Sequence, residues 1–251
     1  VVTFTAPAQT GPSGTFAGGV NTATTNASGV ATSAVFTANS IAGGPYNVAA
    51  TVPGVATPAN FALTNNAGPA SSIAATAGTP QSATVNTAFG TTLKATVKDA
   101  SNNPVSGVTV TFTAPAQTGA SGTFAGGVST ATTNASGVAT SAVFTANSIA
   151  GGPYNVTGSV SGVATPANFA LTNAAGPAAT IAASAGTPQN TAISTAFAST
   201  LQATVKDASN NPVSGVTVTF TAPAQTGASG TFAGGVNTAT TNASGVATSA
   251  V

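Results

Sequence analysis

The chain of 251 residues contains no cysteine, histidine, methionine or tryptophan, and its charged side chains amount to 2% of the residues. Each absence removes a chemistry. Without cysteine there is neither a disulfide framework nor a thiolate metal site. Without imidazole or thiol, and with only two acidic residues in all, the usual general bases, activated nucleophiles and metal ligands are missing. The chain is therefore not expected to be an enzyme, and no cofactor or metal is expected. A net charge of +1 offers no basic stripe for neutralising phosphates, which argues against a nucleic-acid partner. Thr, Ser, Asn or Gly interrupts every hydrophobic stretch well short of the roughly 20 apolar residues of a membrane span. No basic n-region opens the chain, so no signal peptide is visible either.

What remains is enough to fold. Hydrophobic residues make up 42% of the chain, and disorder calls for low hydrophobicity with high net charge, neither of which applies here. The dominant feature is repetition. Phe4, Phe112 and Phe220 occur in the same TFTAPAQTG context, each 108 positions from the next. A period of this length equals a small domain, not the 20 to 50 residues or so of a solenoid unit. Turn-forming residues at LTNNAGPAS (Leu63 to Ser71) and LTNAAGPAA (Leu171 to Ala179) mark the boundaries. Residues 66–173 then form one complete repeat, 1–65 the C-terminal part of a preceding one, and 174–251 the N-terminal part of a following one. Both ends fall inside strand-like patterns, as in a window from a longer tandem array.

Within a repeat the apolar residues alternate with period two. Leu93, Ala95 and Val97 face one way while Lys94, Thr96 and Lys98 face the other, and Val108, Val110 and Phe112 alternate with threonines. Val138, Ala142 and Phe144 suggest a third strand, and Tyr154, Val156 and Val160 a fourth. Shorter candidates lie at Ser72 to Ala77, Ala83 to Phe89, Gly122 to Ala125 and Ala167 to Leu171. Many short strands with turn signals between them and no helical period predict an all-β fold of immunoglobulin-like antiparallel β-sandwiches, arranged end to end. Six aromatics, Phe89, Phe112, Phe124, Phe144, Tyr154 and Phe169, are spread roughly one per strand, as a core shared by two facing sheets requires.

The landmarks KDASNNPVSGVTVTFTAP (Lys98 to Pro115), TTNASGVATSAVF (Thr132 to Phe144) and GGPYNVTGSVSG (Gly151 to Gly162) follow one another along the repeat. In this order and spacing they resemble the bacterial Ig-like domains of group 1, the invasin and intimin type. The resemblance implies tandem domains on a bacterial surface protein, serving as stalk or spacer. The scarcity of acidic residues departs from members that bridge calcium between domains.

The stretch TVKDASNNPVSGVTVTF (Thr96 to Phe112) returns unchanged from Thr204 to Phe220 and holds most of the charge, with Lys98, Asp99, Lys206 and Asp207. Its residues read as a turn: Asp and Asn accept from backbone NH groups two residues on, Pro104 presets φ, and Gly107 tolerates the left-handed region. Calcium normally takes six or more oxygens or so, including several carboxylates, which one Asp per repeat does not supply. A Lys–Asn amide crosslink through Lys98 or Lys94 is disfavoured, since both face outward and the counterpart of Lys94 is Gln202. TTNASG (Thr24 to Gly29, Thr132 to Gly137, Thr240 to Gly245) contains the glycosylation pattern Asn-x-Ser but also has turn chemistry. Thr-bearing sheet faces would suit ice binding only as a flat array of short period, which a 108-residue repeat does not give.

The leading functional reading is a structural spacer of a long, repetitive, extracellular or cell-surface bacterial protein. Its expected partners are other copies of itself, assembling through neutral faces that like charges do not hold apart. The alternative is an adhesin module whose loops bind a cell-surface or carbohydrate ligand. Linkers as short as AGP predict stacked repeats and a rod.

Overall fold

Alternating apolar and hydroxylated residues make short strands, and the computed structural model, which describes residues 1–250, contains no α-helix among them. The first group comprises β1 (Val2–Thr5), β2 (Gly14–Phe16), β3 (Thr22–Ala23), β4 (Phe36–Ala38), β5 (Gly43–Thr51) and β6 (Ala59–Asn65). The central group comprises β7 (Ser72–Ala77), β8 (Gln81–Thr84), β9 (Lys94–Lys98), β10 (Thr109–Thr113), β11 (Gly122–Phe124), β12 (Thr130–Thr132), β13 (Val138–Thr140), β14 (Phe144–Ala146), β15 (Gly151–Ser159) and β16 (Ala167–Ala174). The last group comprises β17 (Ala178–Ala185), β18 (Gln202–Asp207), β19 (Thr217–Thr219), β20 (Thr238–Thr240) and β21 (Val246–Thr248).

The central group is a sandwich. One layer has the strand order β13-β9-β7, and the other the order β12-β10-β15-β16-β8. All pairings are antiparallel except β8, which runs parallel to β16 with Leu171 opposite Gln81. A separate two-stranded ladder, β11-β14, sets Phe124 opposite Phe144. The protein is thus all-β, built from immunoglobulin-like sandwiches in tandem.

Side chains from both layers fill the space between them. Leu93, Ala95, Val97, Val110, Ala139, Val156, Phe169 and Leu171 are fully buried. The rings form a connected file. Phe89 packs on Phe144 (centroids 5.7 Å apart), Phe144 on Phe124 (4.7 Å), Phe124 on Phe112 (6.1 Å) and Phe112 on Phe169 (5.9 Å). These separations suit tilted or offset aromatic pairs, which are worth about 0.5–1.5 kcal/mol each beyond the area they bury. Five of the six expected core aromatics are buried; the sixth, Tyr154, is half-buried with its hydroxyl on Asn173.

Two expected strands come out differently. The pattern from Val138 to Phe144 is not one strand: β13 pairs with β9, and β14 pairs with β11. Parity explains the break. Ala139 and Phe144 both point inward, and residues an odd number apart cannot share a face of one continuous strand. The chain crosses between ladders at Ser141, whose buried hydroxyl accepts from Leu93 N at 3.1 Å and donates to Ala142 O at 2.8 Å. The expected strand from Ala83 to Phe89 divides as well. Its first part lies in β8, Asn86 takes a left-handed φ of 62°, and the chain then runs beside β14 through Phe89 N to Phe144 O (2.9 Å). Gly122 marks another close approach, since a Cβ there would sit 2.8 Å from the Phe144 ring.

Candidate functional site

The repeated charged stretch folds as a turn at the end of β9. Asp99 N donates to Asn103 O at 3.0 Å, and Asn102 N to Asp99 O at 3.1 Å. Asn102 accepts a φ of 71° and Gly107 one of 75°, both in the left-handed region that Asn and Gly tolerate best. The two consecutive asparagines therefore have different jobs. Asn102 turns the backbone, which leaves the side chain of Asn103 free to bond elsewhere.

Asp99 is nearly buried (7% exposed), and both its oxygens are engaged. Oδ1 accepts from Ser101 N (2.9 Å) and Asn103 N (2.8 Å), while Oδ2 accepts from Gly68 N (2.8 Å) and Asn103 Nδ2 (3.0 Å). Gly68 belongs to the linker between the first and central groups. The carboxylate thus fixes the turn and ties the linker to it. The Asn103 amide holds the Asp99 carboxyl below its ordinary value of 3.8; burial opposes this, and the NH groups of Gly68, Asn103 and Ser101 reinforce it.

Asn103 completes the joint. Its Nδ2 donates to Ser40 O at 2.8 Å, and its Oδ1 accepts from Ala42 N at 3.0 Å. Both atoms lie in the NSIA turn (Asn39 to Ala42) of the first group. That turn is held from its other side by buried Asn65, whose Nδ2 donates to Asn39 Oδ1 (3.0 Å) and Ile41 O (3.1 Å) and whose Oδ1 accepts from Tyr46 OH (2.7 Å). One short turn is therefore clasped by an asparagine from within its own repeat and by another from the next.

The second joint repeats the first. Asp207 accepts from Gly176 N (2.8 Å), Asn211 Nδ2 donates to Ser148 O (2.8 Å), and Asn211 Oδ1 accepts from Ala150 N (2.9 Å). Burial pushes the Asp207 carboxyl up, but the Asn211 amide and the NH groups of Gly176, Asn211 and Ser209 together bring it below 3.8. A further bond, Asn86 Nδ2 to Ser209 Oγ at 3.0 Å, also crosses this joint.

The other sequence candidates lie apart from it. Lys94 and Lys98 are exposed, as expected from the alternation of β9. Asn134 closes its turn with Oδ1, accepting from Ser136 N (2.9 Å) and Val138 N (3.0 Å), which is the turn chemistry that TTNASG suggested. Among the described residues no group of three or more His, Cys, Asp or Glu gathers as metal ligands do. The cross-repeat role of Asn103 is not visible in the local pattern, because its partners lie 61 and 63 positions away. The available signal is internal: DASNNP is identical in both copies, while Ser82 to Asn86 and their counterparts differ.

Fold and joint together define a class, the tandem immunoglobulin-like β-sandwich protein. No family model matches the chain, and no curated protein matches it in sequence. Among solved structures it is similar to FdeC, an Escherichia coli adhesin, at 22% identity and a TM-score of 0.53 over 99% of this chain and 77% of that one. Invasin, a bacterial integrin-binding protein, aligns at 23% identity and a TM-score of 0.33 over 71% of this chain and 33% of its own. Domains 4–9 of the surface layer protein SbsC align at 18% identity and a TM-score of 0.33 over 91% of this chain and 33% of theirs.

Proposed function

We propose that the chain is a structural spacer, part of a stalk or fibre in a long repetitive bacterial surface or extracellular protein, with 1–65, 66–173 and 174–251 as its units. The observation that supports this most directly is where the charged turn goes. Its carboxylate and amide bind the linker and the preceding repeat, so the one feature of each repeat that resembles a site is used in joining repeats. A carboxylate with both oxygens occupied is a poor general base, and we assign the chain no catalytic role.

The exterior fits the same role. Thr109, Thr111, Thr113, Thr130 and Thr132 are exposed on adjoining strands, giving a wettable surface that carries almost no charge. Such faces let parallel copies lie close together, and lateral association into fibres belongs to the proposal.

Removing residues 66–173 joins Asn65 to Ala174 within the repeated linker pattern and tests the spacer directly. Negative-stain images should show a rod shorter by about 40 Å, the length of strands of eight to ten residues plus their turns. Capture of a glycan or a cell surface by the intact chain, lost on that deletion, would instead establish the adhesin reading.

A further inference from the structure

We infer that the Asp–Asn pair of each charged turn, Asp99 with Asn103 and Asp207 with Asn211, is an orientation lock whose docking partner is the NSIA turn of the preceding repeat, so that every joint adopts the same rotation. This deepens the spacer reading and rests on it.

The first support is duplication. Each bond of the lock has its counterpart one repeat later. The amide-to-carbonyl bond is 2.8 Å at both joints, the linker bond is 2.8 Å at both, and the NH-to-amide bond is 3.0 Å at one and 2.9 Å at the other. Two-point contact by one planar amide fixes direction as well as distance, which a single bond does not. The linker bond from Gly68 or Gly176 to the Asp carboxylate ties down the chain that connects the two turns. Two turns held at two points, with their connecting linker tied to one of them, have little freedom to swing.

The second support is the division of labour within the pair. An exposed asparagine bonding to two backbone groups in water would gain little, because water competes for each group. Here the Asp carboxylate accepts from the same Nδ2 that reaches across the joint, at 3.0 Å in one copy and 2.9 Å in the other. The amide is thereby oriented before its partner arrives, and Asn211 is 8% exposed. Asp99 and Asp207 are positioning residues, and Asn103 and Asn211 make the contact.

The third support concerns what is read. Every cross-repeat bond of the lock ends on a backbone atom, Ser40 O and Ala42 N at the first joint and Ser148 O and Ala150 N at the second, and the linker bonds likewise start from backbone, at Gly68 N and Gly176 N. The docking surface recognises a turn shape and not its side chains. Copies that diverge in sequence would still dock, provided the turn is kept, and the rotation would carry through an array of any length. Equal rotations at every joint make a regular helical rod.

The absence of cysteine makes the test clean, because each introduced thiol is unique. Spin labels at T24C and T132C report the first joint, and labels at T132C and T240C the second; the three threonines are exposed and occupy equivalent positions. The lock requires that both pairs give the same narrow distance distribution by double electron–electron resonance. Substituting Asn103→Ala and Asn211→Ala should broaden each distribution by about twofold or more, towards a flexible linker. Inserting Gly-Gly after Ala67 separates the first joint without touching the turn, and should broaden the first pair alone to the same degree. Different or broad distributions in the parent chain would overturn the proposal, as would narrow ones in both altered forms. If the alanine variant loses its strand circular dichroism, the insertion decides by itself. A loose joint would leave the rod-length test of the spacer standing, so the two failures are distinguishable.

Discussion

Phe169 and Phe61 occupy the same place in the repeat, on the strand that follows the same GGPYNV segment, yet Phe169 is fully buried and Phe61 is 50% exposed. The same holds at Leu171 against Leu63, and at Phe89 against Phe197. In the central group the β7-β9-β13 layer lies over β16; among the described residues, 1–65 hold no counterparts of β7 and β9 to lie over β6. The polar side of the two copies behaves otherwise. Asn65 and Asn173 are both buried, and their bonds to the tyrosine hydroxyl are 2.7 Å and 2.8 Å. Among the described residues the rings are buried only where the facing layer is present, while the amide pin under the NSIA turn keeps its bonds in both copies.

Substituting the paired phenylalanines gives the largest expected effect. Phe169→Ala should lower the stability of the central repeat by about 3–5 kcal/mol, as a large-to-small change in a closed core does, and Phe61→Ala should cost about 1 kcal/mol or less. Hydrogen exchange of the β15–β16 and β5–β6 amides separates the two. Equal losses would mean that the facing layer does not govern burial.

The asparagines should reverse the pattern. Asn173→Ala removes the bond to Ile149 O and the shorter of the two bonds of the Tyr154 hydroxyl, while Ser121 O keeps Asn147 N at 2.9 Å; each group left without a partner costs about 1–3 kcal/mol. Asn65→Ala removes the matching bonds at Ile41 and Tyr46, with Ser13 O keeping Asn39 N at 2.8 Å, and is expected to cost the same within about 1 kcal/mol. Denaturant unfolding of the two variants is the check, and a clear difference would tie the pin to the second layer after all.

Acidity should act on the joints before the cores. Folding lowers the Asp99 and Asp207 carboxyls from 3.8, so their contribution is fully present above that value and is lost as pH falls through the lowered one. At the other end, burial raises the Tyr154 hydroxyl from 10.0 to about 12, so its contribution is complete below 10.0 and is lost as pH rises towards 12. With no histidine to titrate between, thermal stability should be flat across that interval. Protease cleavage in residues 66–71, followed against pH, should rise first at the acid edge. A step near neutrality would contradict both assignments.

Salt should do least. With so few charges to screen, raising sodium chloride from 0.05 to about 1 M is expected to move the melting temperature of either copy by no more than about 2 °C. Differential scanning calorimetry measures it, and a larger shift would reveal an ionic contribution that this chain has few groups to provide.

Much of this architecture is legible from residues alone. The period-two alternation placed β7, β9, β10 and β16 within a few residues, and the spread of phenylalanines marked the core. Legibility fails where one pattern serves two ladders. Val138 to Phe144 alternates well enough to pass for a strand, but a change of inward parity breaks it at Ser141. It fails again at DASNNP, whose residues account fully for a turn and so give no hint that one amide reaches 63 positions back.

The sequence by itself determined the repeat length, the all-β class and the near absence of titratable chemistry, because composition and alternation are local properties that survive in any conformation. Only the tertiary structure decided which phenylalanines are sealed and what Asn103 and Asn211 hold. Both depend on surfaces brought together from distant parts of the chain, and a hydrogen bond or a buried ring has no meaning until its partner is in place.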